Sequence, residues 1–340
     1  MLTRYLEKVL DRRDLSPAEM EEAFRIITGG EVAHSQIGAF LAALRMKGVS
    51  QTELVGAARM LRRAAAFIDC GGRDVVDVVG TGGDGTGSFN ISTTSAFVAA
   101  GAGVCVAKHG NRAASSRCGS ADVLAALGFQ LDAPAAVMEN AIAEHGIGFL
   151  YAAKFHPVLG QVAVLRRELR IRTVFNMVGP LCNPAGARSI VLGVYAPELT
   201  ELFAGALQEL GVRRALVVHG LDGLDEISCC AATRVSELRD GRIVTRELLP
   251  ELLLGTVYAP EELRGGDPEQ NAEILQSVLT GVNRGAPRAA VLLNAGAAIY
   301  VAGVASTLEE GIALAGRSID SGAAERKLEL LIEASHGTGA

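Results

Sequence analysis

Val75-Val-Asp-Val-Val-Gly-Thr-Gly-Gly-Asp-Gly-Thr-Gly-Ser-Phe-Asn-Ile-Ser-Thr93 decides how this chain is read. Val75–Val79 is a short β-branched run, the texture of a strand covered on both faces. Gly80–Gly87 then holds five glycines in eight residues, which frees the backbone for positive φ and close approach to a ligand. Ser92–Gly101 reads as a helix, so its free N–H groups and dipole point into the loop. Asn90, Ser92 and Thr93 add amide and hydroxyl donors. Strand, glycine loop and helix N-terminus in that order predict an anion site in an α/β fold.

A second segment, Lys108-His-Gly-Asn-Arg-Ala-Ala-Ser-Ser116, follows the apolar run Val104–Ala107, and Gly119-Ser120 opens another helix over Ser120–Leu127. Two such loops on one sheet edge suit a phosphorylated sugar or a diphosphate. The first loop also matches G-x-G-x-x-G through Gly80, Gly82 and Gly85. The dinucleotide fingerprint, however, needs an acid about 20 residues further on, and Val104-Cys-Val-Ala-Lys108 has none. No Gly-Lys-Ser/Thr follows, which removes a Walker A loop.

Residues 1 to about 66 read as helices only. Ser16 with Glu19 and Ser50 with Glu53 are capping boxes, the first with Pro17 at the opening helical position. Met20, Phe24 and Ile27, then Ile37, Phe40, Leu41 and Leu44, then Leu54, Ala57 and Leu61 repeat at helical spacing. Their apolar faces are available for a subunit contact. Cys70-Gly71-Gly72 is a hinge candidate. Beyond it, Ile190–Tyr195 and Ala215–Val218 alternate with helical stretches such as Pro197–Glu209, and Asp240-Gly241 marks a hairpin between Val235–Leu238 and Ile243–Arg246. The expected organisation is a small N-terminal all-helical domain, residues 1–70, and a large α/β domain, residues 71–340, with a mainly parallel central sheet flanked by helices.

The chain has 340 residues and is 49% hydrophobic, enough for a large core. A net charge of −6, no Trp and 4% aromatics disfavour a nucleic-acid surface. Six cysteines without CxxC spacing read as reduced thiols in a cytoplasm, Cys229-Cys230 included. The charged start, Met1-Leu-Thr-Arg-Tyr-Leu-Glu-Lys8, reads as an amphipathic helix start rather than a signal peptide. Ala289–Ala305, interrupted by Asn294, Gly296 and Gly303, reads as a core helix preceded by a strand, not as a membrane span.

Leu221-Asp-Gly-Leu-Asp-Glu-Ile-Ser228 follows a predicted strand. Adjacent carboxylates there are hard oxygen ligands suited to Mg²⁺. In an extended strand Asp225 and Glu226 point to opposite faces, so either a turn unites them or each meets a different ion. A fourth stretch runs from Phe155-His-Pro157 through Arg166-Arg-Glu168 to Asn176-Met-Val-Gly-Pro180-Leu-Cys-Asn-Pro184. Arg166 suits a carboxylate; spacing alone does not choose between it and Arg167.

In this order and over nearly the whole chain, Gly80–Asp84, Asn90–Thr93, Lys108–Arg112, Gly119–Asp122, Arg167–Leu169 with Ile171–Thr173, Gly179–Leu181 and Asp222–Ile227 resemble the anthranilate phosphoribosyltransferase family. The resemblance implies phosphoribosyl diphosphate and anthranilate as substrates, two Mg²⁺ per subunit, and a homodimer through the helical domain, onto which a central helical piece near 160–175 packs back. It implies that phosphoribosyl diphosphate is held by Gly80, Gly83, Asp84, Ser88, Asn90, Ile91, Ser92, Thr93, Lys108, His109, Gly110, Asn111, Arg112, Ala113, Ala114, Ser115, Ser116 and Ser120. Anthranilate would meet Gly80, Asn111 and Arg166, with His109, His156 and Pro180 lining its pocket. Ser92, Asp225 and Glu226 would serve the metals. The chain departs from the usual pattern at Phe155, Arg117, Cys118 and Cys229-Cys-Ala-Ala232.

The implied chemistry displaces diphosphate from an anomeric carbon by a weakly basic aromatic amine, so no covalent nucleophile is expected. Two other readings remain: a pyrimidine nucleoside phosphorylase-like enzyme, which shares the Lys-His-Gly segment, and a non-catalytic nucleic-acid-binding paralogue.

Overall fold

The computed structural model describes residues 1–113 and 116–337. Ala114 and Ser115, singled out above, lie outside the described residues, as does the end of the tail. Four helices come first: α1 (Thr3–Leu10), α2 (Pro17–Thr28), α3 (His34–Lys47) and α4 (Gln51–Ala64). Both capping boxes form, with Ser16 and Ser50 N–H each donating to its glutamate at 2.8 Å. Gly29 ends α2 and Gly48, at φ 89°, ends α3. Glu53 is fully buried and also accepts from Leu15 N–H at 3.0 Å and Lys47 Nζ at 2.9 Å, pinning the α1–α2 link to α4.

The rest is built on a seven-stranded sheet in the order β3-β2-β1-β4-β5-β6-β7. Its strands are β1 (Val76–Gly80), β2 (Val106–Gly110), β3 (Ile147–Tyr151), β4 (Ser189–Gly193), β5 (Arg214–Gly220), β6 (Thr233–Arg239) and β7 (Arg242–Leu248). Strands β1 to β5 pair in parallel; β6 and β7 add as an antiparallel hairpin. The chain runs outward from β1 through β2 to β3, then returns to the other side of β1 as β4. Order therefore reverses between β1 and β4, and in open α/β sheets ligands bind in the crevice beyond the strand carboxyl ends at such a point.

Helix α5 (Ile91–Gly101) follows β1 and is almost wholly buried between the sheet and helix Ala286–Ala302. Helix α6 (Ser120–Ala126) follows β2. Helix Gly160–Leu169 packs on α2 and α3, where Gly38 faces Leu165 and Leu169.

Two expectations need correction, and one strand lies outside the sequence-based expectations. Strand β3, Ile-Gly-Phe-Leu-Tyr, was not anticipated: the run is short, and Gly148 breaks its hydrophobic texture because a Cβ there would meet Ile142 at 2.7 Å. Ala289–Ala305 is not preceded by a strand; one helix, Ala286–Ala302, starts at the Pro287 turn and ends at Gly303 in the left-handed region. Lys108 and His109 belong to β2 itself rather than to the loop behind it. Among the described residues no helix is long and apolar enough to cross a membrane, and all six cysteines are free.

Candidate active site

The glycine loop between β1 and α5 needs its glycines for two different reasons. Gly82, Gly83, Gly85 and Gly87 have φ between 66° and 82°, where a side chain is strained. Gly80 is needed for proximity instead: a Cβ there would stand 2.5 Å from Asp225 Oδ2. Within the loop Thr86 Oγ1 donates to Asp84 at 2.5 Å. Ser88 forms an isolated bridge with Arg264. Asn90 occupies the N-cap of α5 without a side-chain capping bond, leaving first-turn N–H groups for other acceptors. Ile91 is buried, and the buried Thr93 hydroxyl has no hydrogen-bond partner among the described residues.

From β2, Lys108 turns under this loop. Its Nζ donates to the Val78 carbonyl at 2.5 Å and to Ser92 Oγ at 3.3 Å. Burial lowers its pKa, while the nearby Asp77, Glu226 and Asp225 carboxylates oppose that. Beyond the strand, Asn111 N–H donates to Ser120 Oγ at 3.1 Å, and Gly110 lies directly against Ser120. Asp122 organises the turn, accepting from Ala113 N–H at 2.8 Å, Gly119 N–H at 2.9 Å and the Arg112 guanidinium at 2.7 Å. Ser116 Oγ donates to the Cys118 carbonyl at 3.4 Å.

The Asp222–Ser228 segment turns back over the same edge after β5. Ser228 Oγ donates to Asp222 at 2.6 Å, and Ile227 N–H to Asn294 Oδ1 at 2.9 Å. This turn answers the question left by spacing. Both carboxylates face the crevice region, but they engage different elements. Asp225 Oδ2 accepts from Gly82 N–H at 2.7 Å and Glu226 Oε1 from Ser92 N–H at 3.0 Å. The Asp225 carbonyl also presses on Gly193, at the end of β4. Burial, with Asp84 and Glu226 nearby, raises the Asp225 carboxyl well above its usual range. Burial pushes Glu226 up to about 7, against the pull of Lys108.

Lys108 is the cation buried beside these two acids. Among the described residues no three His, Cys, Asp or Glu side chains converge as an all-protein metal cage. Two carboxylates beside a serine hydroxyl nevertheless fit Mg²⁺, which is commonly held by one or two carboxylates together with waters and substrate phosphates.

On the other side of β2, the His109 and His156 rings lie 5.1 Å apart. Among the described residues, His109 Nε2 and both His156 ring nitrogens are buried with no hydrogen-bond partner of normal geometry; the nearest backbone groups are those of Gly179 for His109 and of Cys182 and Leu61 for His156. Burial, helped by His156 and Lys108, drives the His109 pKa down to about 3, so it is neutral near pH 7. Pro180 is buried in the turn Gly179–Leu181. Arg166 is carried by helix Gly160–Leu169. Its guanidinium carbon is 5.4 Å from the Phe175 ring centre, it has no carboxylate partner among the described residues, and burial lowers its pKa. Phe155, a departure noted above, is a buried core residue.

Three supporting residues escaped the sequence reading. Asp77 is fully buried in β1, accepts from His109 N–H at 3.0 Å and Asn183 Nδ2 at 2.8 Å, and is raised by burial to about 6. A single acid inside an apolar strand was the available signal. Asn294 holds the Asp225–Glu226 turn from the middle of helix Ala286–Ala302. Asn271 contacts Asn90 across the crevice wall. Neither asparagine carries a local motif.

Residues 3–65 match the helical bundle domain of a glycosyl transferase family, and residues 72–325 match its α/β domain. Over 339 residues the chain is 55% identical to the anthranilate phosphoribosyltransferase of Desulfosudis oleivorans, covering 100% of both chains. It superposes on the crystal structure of the Thermus thermophilus anthranilate phosphoribosyltransferase with a TM-score of 0.92, at 44% identity, covering 97% of this chain and 99% of that one. The Saccharomyces cerevisiae enzyme in complex with PRPP and Mg gives a TM-score of 0.90 at 29% identity, covering 99% and 98%. The same yeast enzyme in complex with 4-fluoroanthranilate gives 0.88 at 28% identity, with the same coverage. The chain belongs to this glycosyl transferase family and, within it, to the anthranilate phosphoribosyltransferases.

Proposed function

We propose that the chain transfers the 5-phosphoribosyl group from phosphoribosyl diphosphate to anthranilate, giving N-(5-phosphoribosyl)anthranilate and diphosphate, a step of tryptophan biosynthesis. The observation that carries this reading is the Asp225–Glu226 turn. It meets the glycine loop and the α5 N-terminus at the point where strand order reverses. A phosphorylase using free phosphate has no need of that acidic turn, and a nucleic-acid binder has no need of either loop.

Gly80, Gly83, Asp84, Ser88 and Asn90–Thr93 take one side of phosphoribosyl diphosphate, and Lys108–Ser116 with Ser120 the other. The two segments supply backbone N–H groups, hydroxyls and Lys108, donors that can stabilise charge developing on the leaving diphosphate. Ser92, Asp225 and Glu226 would hold Mg²⁺, two ions per subunit. When bound, Mg²⁺ neutralises phosphate charge and stabilises the departing diphosphate. Arg166 pairs with the anthranilate carboxylate, while Gly80, Asn111, neutral His109, His156 and Pro180 shape the acceptor pocket. The amine nitrogen bonds to the anomeric carbon as the carbon–oxygen bond to diphosphate breaks, and the nitrogen proton then passes to water. No side chain forms a covalent intermediate; orientation of acceptor against sugar supplies much of the rate.

The division into a helical domain, 1–70, and an α/β domain, 71–340, with 160–175 returning to the helices, belongs to the same reading. So does a homodimer in the cytoplasm, joined through the helical domain, where Leu10 and Met46 are exposed. Phosphorus NMR tests the reaction: diphosphate should appear only when anthranilate, phosphoribosyl diphosphate and Mg²⁺ are all present. Nucleoside cleavage by inorganic phosphate without diphosphate release would overturn it.

A further inference from the structure

A backbone donor at one end and a backbone acceptor at the other fix the polarity of a chain of side-chain amides beside the glycine loop. Gly266 N–H donates to Asn271 Oδ1 at 2.7 Å. Asn271 Nδ2 therefore faces Asn90, whose Oδ1 accepts it at 2.9 Å. Asn90 Nδ2 is thereby directed at the Cys118 carbonyl, 3.4 Å away, and the Cys118 thiol donates to Asn90 Oδ1 at 3.4 Å. Turning either amide over would set donor against donor or acceptor against acceptor, because a backbone N–H cannot accept and a backbone carbonyl cannot donate.

The segments joined by this relay are distant in sequence. Asn271 sits on helix Pro268–Leu279, 181 residues from Asn90, and is 1% exposed. Residues 263–266 run along the glycine loop: Phe89 N–H donates to the Leu263 carbonyl at 3.0 Å and Gly265 N–H to the Gly87 carbonyl at 2.9 Å. A Cβ on Gly265 would meet Phe89 Cα at 2.8 Å, so this strap and the loop fit backbone to backbone.

We propose that Asn271 is a positioning residue for phosphoribosyl diphosphate. Through the relay it sets the amide of Asn90 and holds the glycine loop, the strap and the Cys118 turn in one arrangement. This rests on the reading of the two loops as the phosphoribosyl diphosphate site. Asn271 acts through Asn90 and meets no reacting atom.

The test compares Asn271→Ser, whose shorter side chain withdraws both the amide donor to Asn90 and the amide acceptor for Gly266 without adding charge, with Asn271→Asp, which keeps the volume and the acceptor for Gly266 but reverses polarity toward Asn90. Steady-state kinetics with both substrates are read beside thermal melting. Asn271→Ser should raise the KM for phosphoribosyl diphosphate by about fivefold and Asn271→Asp by about tenfold or more, with the KM for anthranilate within about twofold of wild type. A phosphoribosyl diphosphate KM unchanged in Asn271→Ser, or both KM values rising together, overturns the inference. If Asn271→Asp does not fold, Asn271→Ser alone decides. Wild-type protein that consumes neither substrate would instead refute the underlying reading of the site.

Discussion

Glu226 Oε1 accepts the backbone N–H of Ser92 at 3.0 Å across 134 residues of chain. The contact sets an acid from the turn after β5 on the N-terminus of the helix after β1, where the helix dipole favours negative charge. Asp225 makes the parallel link to Gly82. Backbone N–H groups of the chain thus aim both carboxylates.

Asp225→Asn combined with Glu226→Gln keeps the shape of this turn and removes its charge. The Mg²⁺ concentration for half-maximal activity should rise about tenfold or more, since even an outer-shell partner of a metal ligand is worth that much, with the melting temperature close to wild type. Titration of activity against Mg²⁺ reads this; an unchanged metal requirement would refute the role.

Arg166 is a half-buried cation without a carboxylate partner among the described residues. Arg166→Ala should raise the KM for anthranilate by about tenfold or more, the loss expected for a charge-assisted pair, while the KM for phosphoribosyl diphosphate changes little. Equal effects on both constants would remove Arg166 from the acceptor pocket.

His109, depressed to about 3 against 6.5 unfolded, makes the fold acid-sensitive. The unfolded chain takes up a proton below pH 6.5 that the native ring refuses. Stability present above that pH is therefore lost as pH falls toward 3. Between pH 7 and 5 this amounts to about 2 kcal/mol. Asp77, raised to about 6, works in the opposite direction, but it is common to wild type and His109→Gln. Denaturation at the two pH values should show wild type losing about 2 kcal/mol more than the variant; equal losses would contradict a neutral buried His109.

In the helical segment, Glu53 accepts from Leu15 N–H, Ser50 N–H and Lys47 with no exposed surface of its own. Glu53→Ala leaves buried donors and a nearly buried ammonium without this partner, at a cost of roughly 3–5 kcal/mol. Urea unfolding measures it; a loss below about 1 kcal/mol would show that water replaces the carboxylate freely.

What the sequence made legible was local chemistry. Ser16–Glu19 and Ser50–Glu53 announce helix starts because a capping box is complete within four residues. Gly80–Thr93 announces a strand-to-helix anion loop for the same reason. Strand β3 was hidden because Gly148 is chosen for contact with Ile142, a tertiary fact. Asp77, Asn271 and Asn294 were hidden because each satisfies partners far away in sequence, and an asparagine in a helix pattern looks ordinary until its partners are known. The opposite-face ambiguity of Asp225 and Glu226 needed the turn itself, fixed by Asp222 and Ser228.

The most direct measurement of the central claim is anthranilate fluorescence in a cuvette holding the purified chain. On adding phosphoribosyl diphosphate with Mg²⁺ the signal should fall, at a rate proportional to protein concentration, and should hold steady when either addition is omitted. Fluorescence that stays constant with all components present, while the same protein cleaves a pyrimidine nucleoside with phosphate, would contradict the account.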